Sequence, residues 1–162
     1  MAQPFHRKRL TAGSVWLGIG LLGAADGVVF HQLLQWHSVY MHTHRHGQIV
    51  SDGLFHALTV AALVVGAVTL WRAGRPAELW RGRKLLLGGV LLGGGGFNVA
   101  EGLINHHLLQ IHHVKPGDPN ELLYDLAFLA SGVALFAIGH WIKKSADGGD
   151  VPDVGASSEA RG

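Results

Sequence analysis

Imidazole nitrogen and carboxylate oxygen are the strong ligands this chain offers, because it has 12 histidines, 11 acidic residues and no cysteine. Disulfides, thiolate metal sites and thiol nucleophiles are thereby excluded. The histidines gather around a stretch that occurs twice. Asp26-Gly27-Val28-Val29-Phe30-His31-Gln32-Leu33-Leu34-Gln35-Trp36-His37 returns 75 positions later as Glu101-Gly102-Leu103-Ile104-Asn105-His106-His107-Leu108-Leu109-Gln110-Ile111-His112, with six of the twelve positions identical. The acid is kept as an acid. Between the copies stands Asp52-Gly53-Leu54-Phe55-His56, and Asp125 aligns with Asp52 at a shift of 73, with Leu129 in the place of His56. Ten of the 12 histidines, all but His6 and His140, cluster toward one side of the chain's apolar segments. Buried imidazoles without partners cost several kcal/mol, and imidazole suits copper, zinc and iron.

Straight α-helical geometry limits which of these residues meet. At roughly 100° per residue, Asp26 and His37 share a face while His31 lies about a third of a turn from both. Two layers are therefore expected. The deeper uses His31, His106 and His56, with His107 or Asp125 as further candidates; the shallower uses His37 and His112, with His113 beside them. Asp26, Glu101, Asp52 and Asp125 are placed to fix imidazole tautomers, and Gln35 and Gln110 to hydrogen-bond behind the ligands. A solvated loop is the simpler reading of His42, His44 and His46, an interfacial position at a helix end is an alternative for His112 and His113, and a structural role is the simpler reading of His113 and His140.

The elements that carry these residues are long and apolar. Hydrophobic residues make up 48% of the chain and the mean hydropathy is +0.25. Four segments, roughly 12–36, 54–71, 85–111 and 122–142, approach the ~20 residues that a ~30 Å hydrocarbon layer requires. The expectation is an all-α integral membrane four-helix bundle, made of a tandem duplicated two-helix unit. Its parts are an N-terminal flank over 1–11, a transmembrane domain over 12–144 with halves 12–72 and 84–144 joined by a linker at 73–83, and a disordered tail over 145–162. Ser51 or Asp52 can cap the second helix. Glycines recur along helices one and three, ending in Gly93-Gly94-Gly95-Gly96, a pattern that permits close helix crossings in lipid.

Charge sets the orientation. Arg7, Lys8 and Arg9, then Arg72, Arg75, Arg81, Arg83 and Lys84, then Lys143 and Lys144 flank the spans on one side, whereas the other connections carry Arg45 and Lys115 alone. The positive-inside rule places both termini and the middle loop in the cytoplasm of a multi-pass inner (plasma) membrane protein. These cations are not a nucleic-acid patch, since no aromatics interleave with them. The basic start does not read as a cleaved signal, because the apolar run behind it is too long.

The quoted stretches, together with Phe97-Asn98 and Ile111-His112-His113-Val114, resemble a bacterial family of predicted four-helix membrane proteins known as a domain of unknown function, DUF2243. The resemblance covers roughly residues 14–142. It implies an inner-membrane location and four helices, and brings no established activity. Where the family is expected to carry a histidine pair, this chain has His37 followed by Ser38.

The leading function is a membrane protein whose buried, outward-facing His/carboxylate site binds copper, zinc or iron for redox or metal handling. A b-type cytochrome is the nearest alternative, with haem seated in a slot made by the glycines. Transport of protons or metal is another, although no acid or imidazole continues the path through the cytoplasmic half. An assembly subunit of a larger complex, or a homo-oligomer, would use the glycine stripes for docking. No hydrolytic triad and no phosphate-cradling loop is present.

Overall fold

The computed structural model describes residues 5–147, and it is all-helical over that range. Helix α1 spans Arg7–Asp26, α2 Arg45–Trp71, α3 Leu79–Glu101 and α4 Glu121–Asp147. Two seven-residue π-helical segments, Gly27–Leu33 and Gly102–Leu108, continue α1 and α3. With those extensions, four helices are long and apolar enough to cross a membrane. Their outward faces carry leucine, valine and tryptophan, among them Leu58, Val64, Leu87 and Trp141. A soluble protein would bury such residues; a helix in lipid has no reason to.

The helices form an open row, in the order α2, α1, α3, α4. Backbone contacts join α1 to α2, α1 to α3 and α3 to α4, and among the described elements α2 and α4 do not meet. Glycine makes these crossings possible. A Cβ on Gly66 would lie 2.7 Å from the Leu17 amide nitrogen, and one on Gly139 2.7 Å from that of Leu92, so each position admits a neighbouring backbone and no side chain. Gly13 against Leu70 repeats as Gly88 against Lys143, and Gly18 against Val90 repeats as Gly93 against Val15. Each partner has moved by 75 or 73 positions. The two halves thus use equivalent contacts about an axis running between α1 and α3.

Several boundaries differ from expectation. Helix α2 starts at Arg45, well ahead of Leu54, so neither Ser51 nor Asp52 caps it; Ser51 Oγ donates to Gln48 O within the helix (2.7 Å), and Asp52 is buried inside it. Helix α3 begins at Leu79, inside the segment read as a linker, and its π extension ends at Leu108. Helix α4 runs to Asp147, past the boundary at 144; the rest of the expected tail, from residue 148, lies outside the described residues.

Candidate metal centre

The π segments build the site. After Asp26 and Glu101 the hydrogen-bond ladder widens, with Leu34 N–H donating to Val29 O (2.8 Å) and Leu109 N–H to Ile104 O (2.7 Å), each five residues back. On such a turn, residues five apart stand roughly one above another, as residues four apart do on an α-helix. Asp26 and His31 are therefore stacked. Next the chain reverses through Gln35 (φ 50°) and Gln110 (φ 49°), two non-glycine residues in the left-handed region. That reversal returns His37 and His112 to the same place.

The expectation of two layers fails for this reason. Asp26, His31 and His37 place one ligand atom each within 4.8 Å of one another, and so do Glu101, His106 and His112. The rings of His31 and His37 are 4.7 Å apart by centroid, those of His106 and His112 4.9 Å, and His37 and His112 stack on each other at 4.7 Å with 7° between their planes. All four histidines are at most 5% exposed.

Tautomers follow from the partners. His37 Nδ1 lies 2.8 Å from Val114 O, and His112 Nδ1 2.8 Å from Val39 O. A carbonyl can only accept, so each Nδ1 carries the proton and each Nε2 is a bare lone pair. These Nε2 atoms are buried without a hydrogen-bond partner. His112 Nε2 lies 3.6 Å from Glu101 Oε1, too long for a hydrogen bond. Two donors bound about 2.0–2.1 Å from one tetrahedral ion are separated by roughly 3.4 Å. The observed 3.6 Å is close to that separation.

His31 stands between two carboxylates, with Nε2 3.3 Å from Asp26 Oδ2 and Nδ1 3.3 Å from Asp52 Oδ1. His106 Nδ1 is 3.5 Å from Asp125 Oδ1. Asp52 and Asp125 are themselves anchored, Asp52 by the Val39 amide (2.8 Å) and Asp125 by the Val114 amide (2.9 Å). They stand behind the imidazoles, as carboxylates that orient ligands do. Asp125 also accepts from His113 Nδ1 (2.6 Å), a contact with no counterpart in the first half, where Ser38 stands in place of His113.

Other residues singled out from the sequence lie elsewhere. His56 falls outside both groups: its Nδ1–H donates to Asp52 O (2.8 Å) and its Nε2 packs over Gly27, where a Cβ would be 2.8 Å away. His107 is half-buried and also outside them. Gln35 and Gln110 are exposed and act through their backbones, which turn the chain, and not as hydrogen bonders behind the ligands. His42, His44 and His46 are exposed, with His42 Nε2–H donating to Gln110 O (2.9 Å). The glycines considered for a haem slot along α1 and α3 are filled by neighbouring helices, as at Gly20 by Leu63 and Gly95 by Phe136.

Outside the spans, one group of the site has a displaced titration. Burial, with His112 and His31 nearby, pushes the His37 imidazole down to about 3, so it is neutral at physiological pH and its lone pair stays available.

The model of a family described as "Predicted membrane protein (DUF2243)" matches residues 13–146. The chain belongs to this family. Both candidate groups fall within the match, as do the membrane-length helices apart from residues 7–12 of the first. No curated protein and no solved structure matches the chain.

Proposed function

We propose that this multi-pass membrane protein binds a transition metal, either copper, zinc or iron, in a buried His/carboxylate centre and uses it for redox or metal handling. The observation that carries the reading is the pair His37 Nε2 and His112 Nε2, two buried imidazole lone pairs left without a hydrogen-bond partner because each ring's Nδ1 donates to a carbonyl, with the Glu101 carboxyl 3.6 Å from the second. Around these two lone pairs stand the rings of His31 and His106 and the carboxyls of Asp26 and Glu101, all buried. Bound cations would supply the partner that these nitrogens and oxygens lack. The donor set of nitrogen and oxygen without sulfur favours a borderline first-row ion over a soft one.

The charge asymmetry of the connections supports insertion in the inner membrane with both termini in the cytoplasm, which turns the centre toward the outer face. The repeated contacts about the axis between α1 and α3 support origin of the two halves by tandem duplication. Elemental analysis of detergent-purified full-length chain tests the reading. Wild type is expected to retain copper, zinc or iron in stoichiometric amount, and a His37→Ala/His112→Ala variant to lose about tenfold or more. Equal metal content in the two, or none in wild type after loading with Zn²⁺ or Cu²⁺, would reject it.

A further inference from the structure

Metal binding at this centre, if it holds, leaves open how many ions the centre takes, and the geometry of the donors bears on that number. We infer that the centre is dinuclear, with one divalent first-row ion held by Asp26, His31 and His37 and a second by Glu101, His106 and His112.

Three observations point the same way. The ligand atoms separate into two groups of identical composition, two imidazoles and one carboxylate, each internally within 4.8 Å. The two groups meet at the stacked rings of His37 and His112. An imidazole lone pair lies in the plane of its ring, and these planes are 7° from parallel with centroids 4.7 Å apart. Face-to-face rings deliver their lone pairs into separate planes, so both cannot point at one ion. Each Nδ1 is also tied to a carbonyl from the opposite half, which fixes the two rings in this antagonistic arrangement.

Charge supplies the third observation. Asp26, Asp52, Glu101 and Asp125 are all buried, and the side chains within ion-pair distance of them among the described residues are histidines. With all four carboxyls ionised and the histidines neutral, one divalent ion would leave two negative charges uncompensated in a low-dielectric setting, which is costly. Two divalent ions balance them. Three protein donors per ion also leave a tetrahedral ion one position short, the arrangement by which metal sites admit an exogenous ligand. Each ion is thus open to a small anion such as azide.

The test is the stoichiometry of the full chain in detergent, stripped by chelator, reloaded with Cu²⁺ and desalted. Wild type is expected to hold two copper ions per chain. Glu101→Gln/His112→Ala and Asp26→Asn/His37→Ala are each expected to hold one, a twofold loss with either group. Wild type holding one ion, lost with either variant, would overturn the two-ion inference and leave the metal reading standing; wild type holding none would overturn both. Should a variant fail to elute as a monodisperse folded species, electron paramagnetic resonance of copper-loaded wild type decides alone. Two neighbouring Cu²⁺ ions give a dipole-broadened or coupled spectrum, whereas a single isolated axial signal accounting for all the copper contradicts the proposal.

Discussion

His37 Nδ1–H donates a hydrogen bond to the carbonyl of Val114, 2.8 Å away and 77 positions later in the chain. His112 does the same to Val39 at the same distance. Each half of the protein therefore fixes the imidazole of the other, and the buried Nε2 atoms that result are lone pairs by construction. The centre is a product of the association of α1 with α3 and of the connections that cross above them.

Asp125 is expected to act on the centre through His106 and Val114. Its oxygen lies 3.5 Å from His106 Nδ1 and 2.9 Å from the Val114 amide. Asp125→Asn keeps the size and an acceptor but removes the charge that favours the ligating tautomer. Zn²⁺ affinity in a competition titration should fall about 10- to 100-fold, with the helical circular dichroism unchanged. An unaltered affinity would show that Asp125 only braces the chain.

Gln35 and Gln110 hold the chain in the left-handed region, at a cost of roughly 1–2 kcal/mol for a residue with a Cβ. Gln35→Gly should therefore be neutral or raise the melting temperature in detergent, while Gln35→Val should lower it. A β-branched residue tolerated as well as glycine would mean that the reversal which returns His37 to His31 is absent.

The glycines divide by what surrounds them. Gly66→Leu should abolish stable α1–α2 packing, since its Cβ position is only 2.7 Å from the Leu17 amide nitrogen. Gly53 has open space around it, so Gly53→Ala should stabilise α2 by roughly 0.5–1 kcal/mol through helix propensity. Thermal unfolding of the two variants in one detergent separates these outcomes.

Acid should weaken the apo protein through His37. Its folded pKa of about 3 lies below the ordinary 6.5, so the unfolded state binds more protons between those values. Stability contributed by the neutral ring is full above about pH 6.5 and is lost as pH falls toward 3, by at most about 1.4 kcal/mol per pH unit for one group. His37→Asn, which can still donate to Val114 O but does not titrate, should flatten this dependence between pH 7 and 5. An equal slope in the two proteins would assign the acid sensitivity to other groups.

Absence of cysteine makes orientation directly measurable. His46→Cys should react with a membrane-impermeant maleimide at the outer face of intact spheroplasts, and Ala77→Cys only after permeabilisation. The reverse pattern would overturn the orientation assigned from the basic connections.

Much of the architecture is legible in the sequence. Hydropathy marks four spans, and the shift of 75 positions between the two His/acid stretches pairs every residue of the two ligand groups before any coordinate is known. What sequence periodicity misses is the widening of the helix at Gly27 and Gly102, because a period fitted to α-helices places His31 on a different face from Asp26 and His37. That conflict was itself a signal: a repeated set of ligands that no straight helix can converge argues for a different turn. Gly27 and Gly102 do not announce the π geometry, and the left-handed residues are glutamines, not the glycines that would have marked a reversal. His56 matches the helix-one histidines in type and depth, yet the fold turns its Nδ1 onto its own helix and its Nε2 against Gly27.

X-ray absorption at the metal edge of copper- or zinc-loaded protein probes the centre most directly, because it reads the ligands themselves. The account predicts nitrogen and oxygen neighbours at about 2.0–2.1 Å, with outer-shell scattering from about two imidazoles per ion and no sulfur. A first shell of light atoms without imidazole scattering would place the ion elsewhere and contradict it.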